Sequence, residues 1–250
     1  MGLPPVNIPK RHIKELLQIL QEILGQAGLI SKAAIDLPDG RYDKTLSNLL
    51  IYLEQLFVWN KSVNLTGFRS LEDMAIKHVG DSALLFKQLP ADQPLTILDI
   101  GTGAGVPGLI LKILEPLRNG RLRITLVDAV RKKISFLRYI IGILGLEGIE
   151  ALHVRLGGKS AIEQITPIFD IVTSQAVGEL ALLWRLGSPF MANGGIMIAM
   201  KGEKGEEEAS SWVADLSEKE RQGIEISLRH DCLPLAQADR TFVFIRTVSP

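Results

Sequence analysis

The segment Asp99-Ile100-Gly101-Thr102-Gly103-Ala104-Gly105-Val106-Pro107-Gly108 separates one apolar run, Leu95 to Leu98, from a longer one, Leu109 to Leu114. A short apolar run, a glycine-dense turn and a longer apolar run read as strand, tight turn and helix. Glycines at alternate positions admit positive φ and let a ligand touch backbone that a Cβ would hold away. In open α/β sheets, ligands bind at such turns, at the carboxyl ends of the strands. One turn therefore constrains the fold class and marks a place for a small molecule.

The rest of the chain agrees with an α/β reading. Ile13, Leu16, Leu17, Leu20, Ile23, Leu24 and Ala27 recur at helical steps, which predicts an amphipathic helix ending near Gly28. A connector with turn residues over 31–42 leads to further helical patterns over 46–59 and 71–89. Beyond it, strands are expected at 95–100, 122–128, 149–154, 169–174, 195–200, 225–233 and 241–248, alternating with helices at 109–117, 131–144, 176–190 and 206–218. Strands alternating with helices predict a parallel sheet. The last two strands have no long helix between them and should pair antiparallel as a hairpin. The expected division is a helical extension and cap over 1–92 and a Rossmann-like domain with a seven-stranded, mostly parallel sheet over 93–250.

Composition excludes several function classes. The 28 Lys and Arg balance the 28 Asp and Glu, so attraction to nucleic acid or an anionic membrane must come from a local patch. A single cysteine, Cys232, excludes an internal disulfide framework and a cysteine-rich zinc site. His12, His78, His153 and His230 show no metal-ligand spacing. The first ten residues carry three prolines and no secretory pattern, and no apolar stretch approaches the roughly 18 residues of a membrane span. These features predict a soluble, cytoplasmic monomer with no membrane partner.

Two ligands compete for the turn. Gly103 to Gly108 satisfies the dinucleotide pattern G-x-G-x-x-G, with Asp128 lying 20 residues further on, so a nicotinamide oxidoreductase is one reading. Pro107 lacks one of the backbone N–H groups that a pyrophosphate needs at a helix start. The other register, Asp-x-Gly-x-Gly-x-Gly from Asp99, is similar to the first motif of S-adenosylmethionine-dependent methyltransferases. A carboxylate beside the glycines would accept from the cofactor's ammonium, and Asp128 would accept from ribose hydroxyls. Gly103 and Gly105 would form the cradle.

More of the chain carries a sharper resemblance. Trp59-Asn60-Lys61-Ser62-Val63-Asn64-Leu65-Thr66 with Arg69, Lys77-His78-Val79-Gly80-Asp81-Ser82, the glycine turn, Asp128 to Lys133 with Phe136-Leu137-Arg138, Lys201-Gly202, and Leu233-Pro234-Leu235 followed by Arg240 to Ile245 stand in order. Together they resemble the blocks of the bacterial RsmG or GidB family, guanine-N7 methyltransferases of small-subunit (16S) rRNA. The resemblance implies a class I methyltransferase fold, S-adenosylmethionine as cofactor and 16S rRNA or the small ribosomal subunit as partner. It places cofactor contacts on Gly101, Val106, Leu156, Gly157 and Gln175. The family usually has an acid where this chain has Gly157 and an arginine where it has Gln175. Arginine to glutamine removes a charge and a five-donor fork, which keeps a weakened, RNA-binding or regulatory member as an alternative.

Guanine N7 carries a lone pair and no proton, so its methylation needs alignment and charge stabilisation and no general base. An RNA substrate needs phosphate contacts. The candidates are Lys61, Arg69, Lys77, Arg131, Lys132, Lys133, Arg138, Lys201 and Lys204, while Glu206 to Glu208 should face solvent. Asn64, Thr66, His78 and Asp81 have two readings. They are helix caps with a buried His–Asp bond, or the cap closes a base pocket with Asn64 or His78 near a flipped guanine. Trp59, at helical spacing from Leu56, is expected in the core.

Overall fold

A computed structural model describes residues 10–30, 41–165, 168–175 and 178–248. Expectations that fall on 1–9, 31–40 and 176–177 lie outside the described residues. Seven strands form one sheet in the order β3-β2-β1-β4-β5-β7-β6: β1 (Leu95–Ile100), β2 (Leu122–Asp128), β3 (Ile149–His153), β4 (Phe169–Gln175), β5 (Met191–Lys201), β6 (Ile224–Leu233) and β7 (Ala238–Thr247). β1 to β5 pair in parallel, and β7 pairs antiparallel with both β5 and β6. The expected hairpin is present, with β7 inserted between β5 and β6. The parallel strands run outward from β1 and then resume at β4 on its other side. The β1/β4 boundary is therefore the switch point at which open α/β sheets hold their ligands.

Alternation along each strand assigns the two faces. Ile97, Leu126, Ile171, Ile198 and Phe242 point to one face, beneath α1 (Lys10–Gln26), α2 (Arg41–Val63), α4 (Gly80–Gln88), α5 (Gly108–Leu114) and α6 (Arg131–Leu144). Leu98, Ile100, Val127, Val172 and Met197 point to the other, under α7 (Lys159–Gln164), α8 (Leu180–Gly187) and α9 (Gly205–Asp215). The N-terminal helices share the first core: Leu20, Leu53 and Leu56 belong to the same buried cluster as Leu109 and Phe136. Trp59 packs on Phe136 and Tyr139, with ring centroids 5.7 and 5.4 Å away.

Several expected helices differ in extent. α2 begins five residues early, at Arg41. The helix expected over 71–89 has three parts, α3 (Leu71–Met74), a π-turn (Ala75–Val79) and α4. α4 begins at Gly80, where a Cβ would lie 2.8 Å from Leu233 Cδ1. The charged stretch 206–218 divides into α9 and α10 (Glu218–Gln222), since Ser217 starts a new helix through a capping box with Glu220. α8 ends at Gly187 and tightens into a 3₁₀ turn around Pro189. α7 is too short for helical periodicity to show. Among the described residues no helix is long and apolar enough to cross a membrane.

Candidate cofactor and substrate site

The glycine turn leaves the carboxyl end of β1 and is held from beneath. Gly101, Gly103 and Gly105 all have positive φ, 66°, 58° and 96°, a region in which L side chains are strained. The N–H groups of Gly101 and Thr102 donate to the Val127 carbonyl of β2, at 2.9 and 3.1 Å. Gly108 is required for a different reason, close packing. A Cβ on it would stand 2.4 Å from Leu126 Cδ2 and 2.8 Å from Asp99 Oδ2. From above, Tyr52 of α2 donates its hydroxyl to the Ala104 carbonyl at 3.1 Å. Turn and cap are thus physically joined.

Two carboxylates brace the same turn. Asp99 is fully buried, and its Oδ2 accepts from the Gly108 N–H at 2.9 Å. Its Oδ1 is sealed from solvent, with the Thr102 hydroxyl as neighbour. Burial pushes the Asp99 carboxyl up to about 7, against the opposing Thr102 and Gly108 hydrogen bonds and with a smaller push from Asp128. Asp128 accepts from Gly103 N–H through Oδ2 at 3.0 Å and from Val130 N–H through Oδ1 at 2.8 Å. Each Asp128 oxygen has a lone pair to spare, and the carboxylate stands at the edge of the turn. Lys133 Nζ lies 3.8 Å from its Oδ2. A Cβ built on Gly103 would meet only Gly101 O and Lys133 Nζ, at 3.8 and 3.9 Å. This floor suits a cofactor with hydroxyl donors that approaches the backbone closely.

The far wall combines side chains from three elements. Asp81, in the first turn of α4, accepts from Gln175 Nε2 at the end of β4 and from Arg240 Nε on β7, both at 2.5 Å. Burial raises the Asp81 carboxyl, and Arg240, Gln175 and Lys77 oppose that rise. Gln175 therefore leaves no buried carboxylate unpaired, because the cation comes from β7. The expected His78–Asp81 bond is not formed. His78 Nε2 instead pairs with Thr66 Oγ1 at 3.0 Å, and its ring meets the Phe68 ring edge-on, 5.2 Å between centroids. Burial lowers the His78 imidazole to about 4, so it is neutral. Asn60 completes this clip by donating to Phe68 O and accepting from Thr66 N–H.

The other candidates separate by burial and partner. Asn64 is exposed at φ 60° just after α2, the left-handed position that asparagine tolerates best after glycine. Arg69, Arg131 and Lys132 are exposed. Lys201 has protein partners, donating to Gly178 O and Glu208 Oε1, both at 2.8 Å. Glu208 also accepts from Leu180 N–H at 2.7 Å, so only Glu206 and Glu207 of the acidic run are exposed. Arg138 donates to Ala151 O at 2.9 Å. Leu156 is half-buried, and Gly157 is exposed with φ 99°, so any side chain at 157 would be strained. Val106 is buried under the turn. Sequence reasoning missed the links of Asp81 to Arg240 and of Tyr52 to Ala104. The one prior sign was an acid in the apolar helical stretch 71–89.

Comparison with known proteins decides the family. The family described as rRNA small subunit methyltransferase G, GidB, matches residues 45–229. The chain belongs to the GidB family. Its relatives include the ribosomal RNA small subunit methyltransferase G of Clostridium botulinum strain Okra, 38% identical over 169 residues, 68% of this chain and 69% of the relative. The protein of the same description from Syntrophotalea carbinolica is 34% identical over 230 residues, 91% of this chain and 96% of the relative. A solved ribosomal protein L11 methylase from Lactobacillus delbrueckii subsp. bulgaricus aligns with a TM-score of 0.50 at 14% identity, covering 74% of this chain and 81% of the other. That alignment bears on fold alone, and the fold of this GidB member is that of class I methyltransferases.

Proposed function

We propose that this GidB-family chain transfers the methyl group of S-adenosylmethionine to N7 of a guanine in small-subunit rRNA. The observation that carries the reading is the turn 101–105, which leaves β1 at the switch point of a methyltransferase fold and is backed by Asp128 at the end of the neighbouring β2. Bound there, the cofactor supplies an electrophilic methyl on a sulfonium. The Gly101 to Gly105 backbone would cradle it, Asp128 would accept from its ribose hydroxyls, and Leu156 and Gly157 would border its base. Asp99 acts from below by fixing Gly108 at the start of α5. Gln175, tied to Asp81, would close the opposite side.

The groups around the turn are occupied in holding it. Asp99 and Asp128 accept backbone N–H groups, and His78 is neutral and committed to Thr66. That suits a nucleophile arriving with a free lone pair, for which in-line placement about 3 Å from the methyl is the main requirement. Lys61, Arg69, Arg131, Lys132 and Lys204 are exposed and Lys77 and Lys133 partly so; these cations would meet phosphates, and binding through them would weaken steeply with salt. The test is transfer of labelled methyl to small-subunit rRNA that lacks the modification, followed by nucleoside mass spectrometry. The expected product is 7-methylguanosine at one site. Label on another atom or base, or cofactor binding without transfer to either rRNA or subunits, would overturn the reading.

A further inference from the structure

The tip joining β6 to β7, Leu233-Pro234-Leu235-Ala236-Gln237-Ala238, overhangs the ligand end of the sheet. β7 pairs with β5 as far as Thr241, opposite Lys201, where β5 ends. Ala238 lies three residues further, and at about 3.4 Å per residue the tip projects roughly 10 Å past the parallel strands. Its base is joined to the site by Arg240, which holds the Asp81 carboxylate that also holds Gln175.

The turn is built on an unsuitable residue. Ala236 N–H donates to Leu233 O at 3.2 Å, closing a four-residue turn with Pro234 second and Leu235 third. Proline fixes its own φ near −65°, and Leu235 has φ 63°. This is the type II pattern, whose third position calls for glycine or asparagine. Gln237 also has positive φ, 47°. Packing does not explain the leucine. Leu233 is 1% exposed and Pro234 is buried against Gly80, but Leu235 is 37% exposed. The backbone is nonetheless pinned, because Leu235 N–H donates to Gln26 Oε1 of α1 at 3.1 Å. A strained turn thus holds an aliphatic side chain more than a third exposed beside the substrate end. Strain of this kind collects where function requires it.

Resting on the function proposed above, we infer that Leu235 is an RNA wedge, a side chain that enters the base stack beside the target guanine and lets that base leave it. Guanine N7 lies in the deep, narrow major groove of A-form RNA, which side chains cannot reach, so the base must be unstacked to be methylated. Apolar wedges open base steps in this way in other nucleic-acid complexes. The exposed Lys204 follows the end of β5, at the same edge, and favours RNA over an apolar protein surface as the occupant.

The test uses L235G and L235N, which suit the left-handed turn and so spare the fold. Both should melt at or above the wild-type temperature and bind S-adenosylmethionine within twofold of it. Their kcat/KM on protein-free small-subunit rRNA should fall at least tenfold, and a 2-aminopurine placed beside the target should lose its unstacking fluorescence. Leu235→Met should restore both. RNA with abasic nucleotides flanking the target has no stack to open, and the variants should methylate it as the wild type does. Wild-type rates and fluorescence in L235G or L235N overturn the wedge. So does an equal loss on the abasic RNA, and so does a loss confined to assembled subunits, which marks a protein contact instead. A wild type that methylates none of these RNAs defeats the function itself, a separate result.

Discussion

The floor and the far wall of the site are built by opposite means. The floor, 99–108, is held by short-range demands: positive φ at three glycines, a Gly108 that leaves room for Leu126, and carboxylates that accept neighbouring N–H groups. The far wall is held by side chains alone, Gln175 and Arg240 reaching Asp81 across 94 and 159 positions of sequence. Backbone demands restrict which residues can stand in the floor. The wall needs only that a buried charge be met, and different residues can meet it. Here a glutamine and a distant arginine do so.

The largest effect should come from breaking the wall. Arg240→Ala leaves the Asp81 carboxylate, 5% exposed in its side chain, with an amide as its partner. Removing one member of a buried pair costs about 3–5 kcal/mol, readable by urea unfolding. Replacing both members, Asp81→Leu with Arg240→Met, should recover most of that loss, because no charge remains to be met. If Arg240→Ala costs under about 1 kcal/mol, in the range of exposed pairs, the wall is not held by this charge and the contrast with the floor fails.

This contrast explains how much was legible in the sequence. The seven strands, the terminal hairpin and the glycine floor follow from alternation and from residues that only certain backbones accept, and they were read correctly to within a few residues. Asp81, His78 and Thr66 were recognised as polar residues in apolar surroundings, but their pairing was not. Periodicity gives the face on which a residue lies and not what arrives from another element. The pairing of Lys201 was hidden for the same reason, since the Glu208 that holds it is part of a run that read as solvated. Gln175 read as the loss of a contact because Arg240, the cation that compensates, lies on a strand near the other end of the chain.

A smaller effect, with a definite sign, distinguishes the two regions by pH. Asp99 in the floor is raised to about 7, so the folded state holds its proton between roughly pH 4 and 7 while the unfolded state loses it. Its contribution to stability therefore falls as pH rises through that window. His78, in the clip between α2 and the π-turn, is lowered to about 4, so the unfolded state takes up the proton first on acidification. Its contribution rises with pH between about 4 and 6.5. The two slopes oppose each other. Asp99→Asn should steepen the loss of stability on acidification, and His78→Gln should reverse it, in unfolding curves collected from pH 4 to 7. Identical pH profiles for both variants and the wild type would mean that neither burial governs titration.

The smallest effect should come from Tyr52, whose side chain joins the cap to the floor. Tyr52 is fully buried beside Phe136, 6.4 Å between ring centroids, and its hydroxyl donates to Ala104 O. Tyr52→Phe keeps the ring packing and removes only that donor. One net hydrogen bond is worth about 1 kcal/mol, which in a chain of this size lowers Tm by about 2–4 °C. The floor keeps its links to Val127, Asp99 and Asp128, so the affinity for S-adenosylmethionine should fall less than about tenfold, the equivalent of 1.4 kcal/mol. Calorimetric titration beside thermal melting separates the two readouts. If affinity collapses while Tm is unchanged, Tyr52 acts on the ligand and the floor is not self-supporting. If Tm falls with affinity nearly intact, the cap steadies a floor whose shape is already set by its glycines.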